Sequence, residues 1–172
     1  MRLTMKIGVL AVQGAFIEHE HMIEEIGHTA IEIRQRDDLE RLDGLILPGG
    51  ESTVQGQLLN KLDMMKDIKN MISNGLPTLA TCAGLILLSE HIADDDTVHI
   101  GTLPVTIKRN AYGRQLSSFV TNADIKHIGN YPMTFIRAPY IENVSDGVEV
   151  LLIIISLPLN TIIRLDFLST LN

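Results

Sequence analysis

Tryptophan is absent, aromatic residues make up only 4% of the chain, and cysteine occurs once, at Cys82. A lone cysteine excludes an internal disulfide, so nothing here asks for an oxidising compartment. No apolar run reaches the roughly 20 residues that a membrane-crossing helix needs; the longest lies near Val150 to Leu159. Basic runs are missing as well. Lys and Arg number 14 against 21 Asp and Glu, a net charge of −7, which argues against nucleic acid or an anionic membrane as the main partner. The start of the chain, Met1-Arg2-Leu3-Thr4-Met5-Lys6, runs into a short strand pattern without the extended apolar stretch of a signal peptide. These absences point to a cytoplasmic protein. What is present suits one folded domain: 172 residues, 45% hydrophobic and 20% charged, with no repeat, low-complexity segment or linker.

The first half alternates strand and helix patterns. Ile7 to Val12 is a continuous apolar run, as in a strand buried on both faces, and Gln13-Gly14 ends it. A helix is predicted from about Phe16 to Ile26, with Ile17, Met22, Ile23 and Ile26 near helical spacing and Gly27 as its stop. Thr29 to Ile33 and Asp43 to Pro48 read as strands two and three. Helices are predicted through about Leu59 and from about Met64 to Ile72, and a fourth strand begins at Pro77-Thr78. This order predicts an α/β fold with a mostly parallel sheet flanked by helices. The second half reads differently. Ile100 to Lys108, Ser117 to Ile125 and Met133 to Ala138 look like strands without intervening helices, an antiparallel or mixed extension.

Chemistry is expected where parallel strands end. Cys82 lies between the fourth strand and a following apolar helix, with Ala80, Ala83 and Gly84 as small neighbours. That is the pattern of a nucleophile elbow, in which backbone must approach a strained turn closely, and the first turn of a helix favours an anionic sulfur. A buried structural cysteine is the competing reading of this segment alone. Pro48-Gly49-Gly50-Glu51-Ser52 follows strand three. It reads either as a glycine turn capped by Ser52 or as an oxyanion hole, whose backbone donors each contribute about 3 kcal/mol to a transition state. Its convergence with Cys82 favours the second. Arg109 and Arg137 follow apolar runs, where arginine fits a substrate carboxylate when it is more than a solvated surface residue. Asp94-Asp95-Asp96 reads as an exposed acidic loop, and His19 and His21 as helix surface, so neither a metal nor a cofactor is expected.

Five segments in order carry a family resemblance: Gly8 to Gly14, Leu45 to Thr53, Thr81 to Leu88, Arg109-Asn110 with Gly113-Arg114-Gln115, and Phe135 to Pro139. Together, over roughly Lys6 to Leu151, the chain resembles the class I, triad-type glutamine amidotransferases, specifically the glutaminase subunits of bacterial pyridoxal 5'-phosphate synthase. The resemblance implies a flavodoxin-like three-layer fold. It implies that Cys82 attacks the side-chain amide of L-glutamine to form a thioester, with the backbone of Gly50 and Ala83 holding the oxyanion. Gly50, Glu51, Ser52, Arg109, Ile136 and Arg137 match glutamine-binding positions, and Gln13 matches a position near the site and the subunit interface. The ammonia released would pass to a synthase subunit that makes the vitamin B6 cofactor. Two departures stand out. Ala80 replaces a usual glycine, and the family's triad is completed by a late His-Pro-Glu, whereas these 172 residues hold no histidine after His127. Residues 152–172 contain no Gly, Lys, Glu or His, and Leu and Ile fill 11 of those 21 positions. The expectation is an amidotransferase domain over 1–151 followed by a divergent tail. A subunit that binds glutamine without turning it over is the alternative function.

Overall fold

In a computed structural model the chain is described at residues 4–109, 119–126, 129–135, 139–146, 148, 150–156 and 161–166. It divides into two compact units, one of Met1–Ser89 with Val98–Thr102, the other of Glu90–Thr97 with Leu103–Asn172.

The first unit is the parallel half. Its strands are β1 (Lys6–Leu10), β2 (Thr29–Ile33), β3 (Gly44–Leu47) and β4 (Thr78–Ala80), and its helices are α1 (Ile17–Glu25), α2 (Ser52–Lys61), α3 (Met65–Ser73) and α4 (Ala83–Leu88). A single 3-10 turn, Arg36–Leu39, lies between β2 and β3. The sheet runs β2-β1-β3-β4, every pair parallel, with Gly8 opposite Ile31 on one side and Leu45 on the other. The continuous apolar runs are explained by burial on both faces: all four residues of β3 are buried, as are Gly8, Val9 and Leu10. Helices α1 and α4 pack on the sheet, and α2 packs on α3 and α4. Leu10, Ile33, Leu45, Leu47, Leu59, Met64, Ile68 and Leu87 are the large, fully buried side chains that join these layers.

Helix α1 differs from the sequence expectation in one respect. Of its apolar set only Ile23 is buried, against Val9 and Ile46, a contact worth about 2 kcal/mol. Ile17, Met22 and Ile26 are exposed at 51%, 60% and 60%. Their spacing places them on flanks of the helix that the sheet does not cover.

The second unit is a set of short strands: β5 (Ser89–Ile92, from Glu90 onward), β6 (Leu103–Lys108), β7 (Phe119–Ile125), β8 (Gly129–Phe135), β9 (Tyr140–Val144), β10 (Val150–Ser156) and β11 (Thr161–Asp166). One sheet has the order β5-β6-β9, with β6 and β9 antiparallel, and β7–β8 and β10–β11 form antiparallel pairs. Along β6, Leu103, Val105 and Ile107 are buried while Pro104, Thr106 and Lys108 are half-buried, the alternation of a sheet with one inward face. The antiparallel extension is therefore present, with more strands than the sequence suggested. Strand β5 follows α4 directly, and β10 crosses position 151 with a register irregularity between Val150 and Leu152.

Candidate active site

Cys82 lies between β4 and α4 with φ +46° and ψ −104°. Left-handed backbone is rare for a residue with a Cβ and is held only where the surroundings over-determine it. Two sets of contacts do so here. Before the turn, Thr81 N–H donates to Leu47 O at 3.0 Å, tying the end of β4 to β3. After it, Gly84 N–H donates to Thr81 O at 2.9 Å, and Ile86 N–H donates to Cys82 O. Gly84 is required by space: a Cβ there would lie 2.0 Å from Leu47 O. The glycine after the turn thus has a physical reason, and Cys82 is exposed, not buried in a core.

The glycine strand end lies beside this turn. A Cβ on Gly49 would touch Cys82 Cβ at 3.4 Å. The loop after β1 fastens that segment. Ala15 N–H donates to Gly49 O at 3.0 Å, and Gln13 Oε1 accepts from Glu51 N–H at 2.9 Å. Gly14, at φ +110°, has no room for a side chain because a Cβ would stand 2.1 Å from Gly49 O. Three strand ends, after β1, β3 and β4, thereby meet in one place: Gln13, Gly49-Gly50-Glu51 and Cys82. The cap of α2 is Glu51, whose carboxylate accepts from Thr53 N–H at 3.2 Å. The competing reading of this segment puts Ser52 in that role, but Ser52 is the first helical residue and is buried. Ala83 opens α4 and is buried directly after the cysteine.

The remaining expected residues belong to the second unit. Arg109 directly follows β6, and its Nη1 pairs with Asp95 Oδ2 at 3.1 Å. Asp95 is therefore a half-buried partner of an arginine, not part of a bare acidic loop. Ile136 and Arg137 lie outside the described residues. Among the histidines, burial holds the His19 imidazole below its ordinary value of 6.5, outweighing the opposite pull of Glu18. His91 lies on β5, beyond α4, which ends at Leu88. His99 is in the loop after it, and His127 lies outside the described residues. Among the described residues no group of three His, Cys, Asp or Glu could hold a metal, and no helix is long and apolar enough to cross a membrane.

One residue at this place was not anticipated. Gln55, on the first turn of α2, is fully buried and its Nε2 donates to Gln13 O at 2.9 Å and Pro48 O at 3.3 Å. In sequence it is an ordinary polar helix residue, with no signal to mark it.

The profile of the SNO glutamine amidotransferase family matches residues 9–163, extending beyond Leu151, where the recognisable motifs run out. Pyridoxal 5'-phosphate synthase subunit PdxT of Desulfitobacterium hafniense (strain Y51) is 57% identical over 148 residues, 86% of this chain and 74% of that protein. The subunit of the same name from Streptococcus pneumoniae serotype 2 (strain D39 / NCTC 7466) is 50% identical over 154 residues, 87% of this chain and 80% of that one. A crystal structure of glutamine amidotransferase superposes with a TM-score of 0.80 at 38% identity, over 84% of this chain and 78% of that chain. The structure of PurLQS from Thermotoga maritima, at TM-score 0.61 and 16% identity over 84% and 72%, shares the fold.

Proposed function

Because the chain belongs to the SNO glutamine amidotransferase family, we propose that it is the glutaminase subunit of a pyridoxal 5'-phosphate synthase, hydrolysing L-glutamine to glutamate and ammonia. The observation that carries this reading is the left-handed Cys82 turn with the Gly49 backbone against it. Such a turn presents sulfur to an incoming carbonyl while backbone donors stand close enough to meet the oxygen. Cys82 Sγ bonds to the side-chain carbonyl carbon of glutamine, and the carbonyl π electrons move to the oxygen, which accepts hydrogen bonds from the N–H groups of Gly50 and Ala83. Collapse expels ammonia, which takes up the thiol proton, and leaves a thioester. Water then cleaves the carbon–sulfur bond to give glutamate and the free thiol.

Glu51, Ser52, Arg109, Ile136 and Arg137 are the glutamine-binding residues in this reading. The relatives named as synthase subunits support a synthase partner that receives the ammonia, with Gln13 close to that interface. The reading needs no metal or cofactor, calls for neither nucleic acid nor a membrane as partner, and fits a cytoplasmic protein. The chloromethyl ketone analogue of glutamine tests it. The expected result is a single adduct at Cys82, slowed by free glutamine and absent from Cys82→Ser. Equal labelling of Cys82→Ser, or labelling indifferent to glutamine, overturns the proposal.

A further inference from the structure

We propose that Gln55 is a positioning residue that holds the Gly49-Gly50-Glu51 segment in register with Cys82, an inference resting on the glutaminase reading above. Of the buried polar residues described, Ser52, Gln55 and Ser89, only Gln55 sends its side chain to two different strand ends. Its Nε2 spans the carbonyls of Gln13, after β1, and Pro48, after β3. Both acceptors are oxygens, which fixes the amide orientation. The contact is close on every side. A Cβ on Gly50 would stand 2.9 Å from Nε2 and 2.5 Å from Gln13 Oε1, and one on Gly14 would stand 3.2 Å from Nε2. The Gln13 residue that receives the Gln55 bond on its main chain accepts Glu51 N–H on its side chain. Gln55 thus locks the residue that in turn locks the glycine segment.

The second half of the amide separates this role from one in stability. Gln55 Oε1 is buried and has no hydrogen-bond partner among the described residues. An apolar side chain of similar length removes the unpaired Oε1 but leaves the Gln13 and Pro48 carbonyls without this donor, two effects of opposite sign that leave the net change in stability small. A residue retained for stability alone would lose stability on replacement. A positioning residue would lose order and reactivity at the segment it holds, with the fold unharmed.

The test uses the full chain and Gln55→Met, with Gln55→Leu as the second variant in case the first does not fold. Two probes are compared. The chloromethyl ketone analogue of glutamine alkylates Cys82 as its ketone oxygen occupies the oxyanion position; the carbon–sulfur bond forms, chloride leaves and the thiol proton passes to water. Iodoacetamide alkylates the same sulfur with no oxyanion to hold. The expected result is a fall of about 10-fold in the maximal inactivation rate by the chloroketone, at unchanged iodoacetamide rate and an unfolding midpoint close to the parent's. Backbone hydrogen exchange provides a readout independent of any reaction: the Glu51 amide is expected to exchange faster in the variant while amides of β1 and β3 do not. Unchanged exchange at Glu51 overturns the proposal, whether or not the parent reacts with the chloroketone. Equal slowing by both alkylating agents also overturns it. Failure of the parent to react with the chloroketone in a glutamine-sensitive way overturns the glutaminase reading instead, and the exchange result still decides Gln55.

Discussion

Cys82 carries a backbone conformation that glycine adopts at no steric cost and other residues adopt at about 1–3 kcal/mol. Reactivity and stability therefore oppose each other at one residue. Replacing the cysteine by alanine removes the sulfur and keeps the strain; replacing it by glycine removes both. Cys82→Gly is expected to be more stable than Cys82→Ala by about 1 kcal/mol, after allowance for the greater unfolded-state freedom of glycine. Urea unfolding of the two variants measures the difference, and an alanine variant as stable as the glycine one would show that the turn is unstrained. Arg109 raises a related point. Its guanidinium is already paired with Asp95 through Nη1, so a carboxylate ligand at this arginine would share it with the acidic loop.

At the scale of single elements, the 3-10 turn Arg36–Leu39 shows how few residues set a boundary. Gln35 and Asp38 cap each other, and Asp38 Oδ2 accepts from the N–H groups of Arg34 and Gln35 at 2.9 and 3.0 Å. The Arg34 backbone bond is the main cause that holds the Asp38 carboxyl below its ordinary 3.8. A depressed folded value means that the stabilisation is present above pH 3.8 and lost as pH falls through the folded value. Asp38→Ala is therefore expected to lower the urea midpoint at pH 7 and to converge with the parent as the solution is acidified below pH 3.8; a gap independent of pH would assign the effect to packing. Elements such as β1 and β3 were legible because burial on both faces leaves a continuous apolar run. Strand β5 was not. Leu85 to Leu88 continue into Ser89-Glu90-His91-Ile92 with no glycine or proline, and the helix ends where Ser89 turns extended and its Oγ donates to Ile86 O at 2.8 Å. Only the pairing of Ser89–Ile92 with other strands decides that outcome. The site divides in the same way. Cys82 and Gly49-Gly50 could be read because strained turns and close approaches demand particular residue types, whereas Gln55 could not, since a glutamine on a helix is ordinary until its surroundings are known.

For the whole molecule, family membership and site chemistry lead to a prediction about turnover. In triad amidases a histidine takes the nucleophile's proton and returns one to the leaving group. The described histidines lie on or next to α1, on β5 and in the loop at His99. With a synthase partner present, the 172-residue chain is expected to release ammonia from glutamine at least about 10²-fold more slowly than the same chain carrying the family's His-Pro-Glu terminus. A steady-state ammonia assay on both decides it, and comparable rates would show that another group supplies the proton transfer. The interlock of Gly14 with Gly49 has a consequence for descent. The oxygen of one residue occupies the volume in which the other would carry a side chain, so a methyl group gained at position 14 clashes unless the neighbouring loop has already moved. Lineages of this chain can drift freely on the outer flank of α1, where Ile17, Met22 and Ile26 face solvent, but the two loops are heritable only as a pair, and each generation's choices at one are constrained by the other.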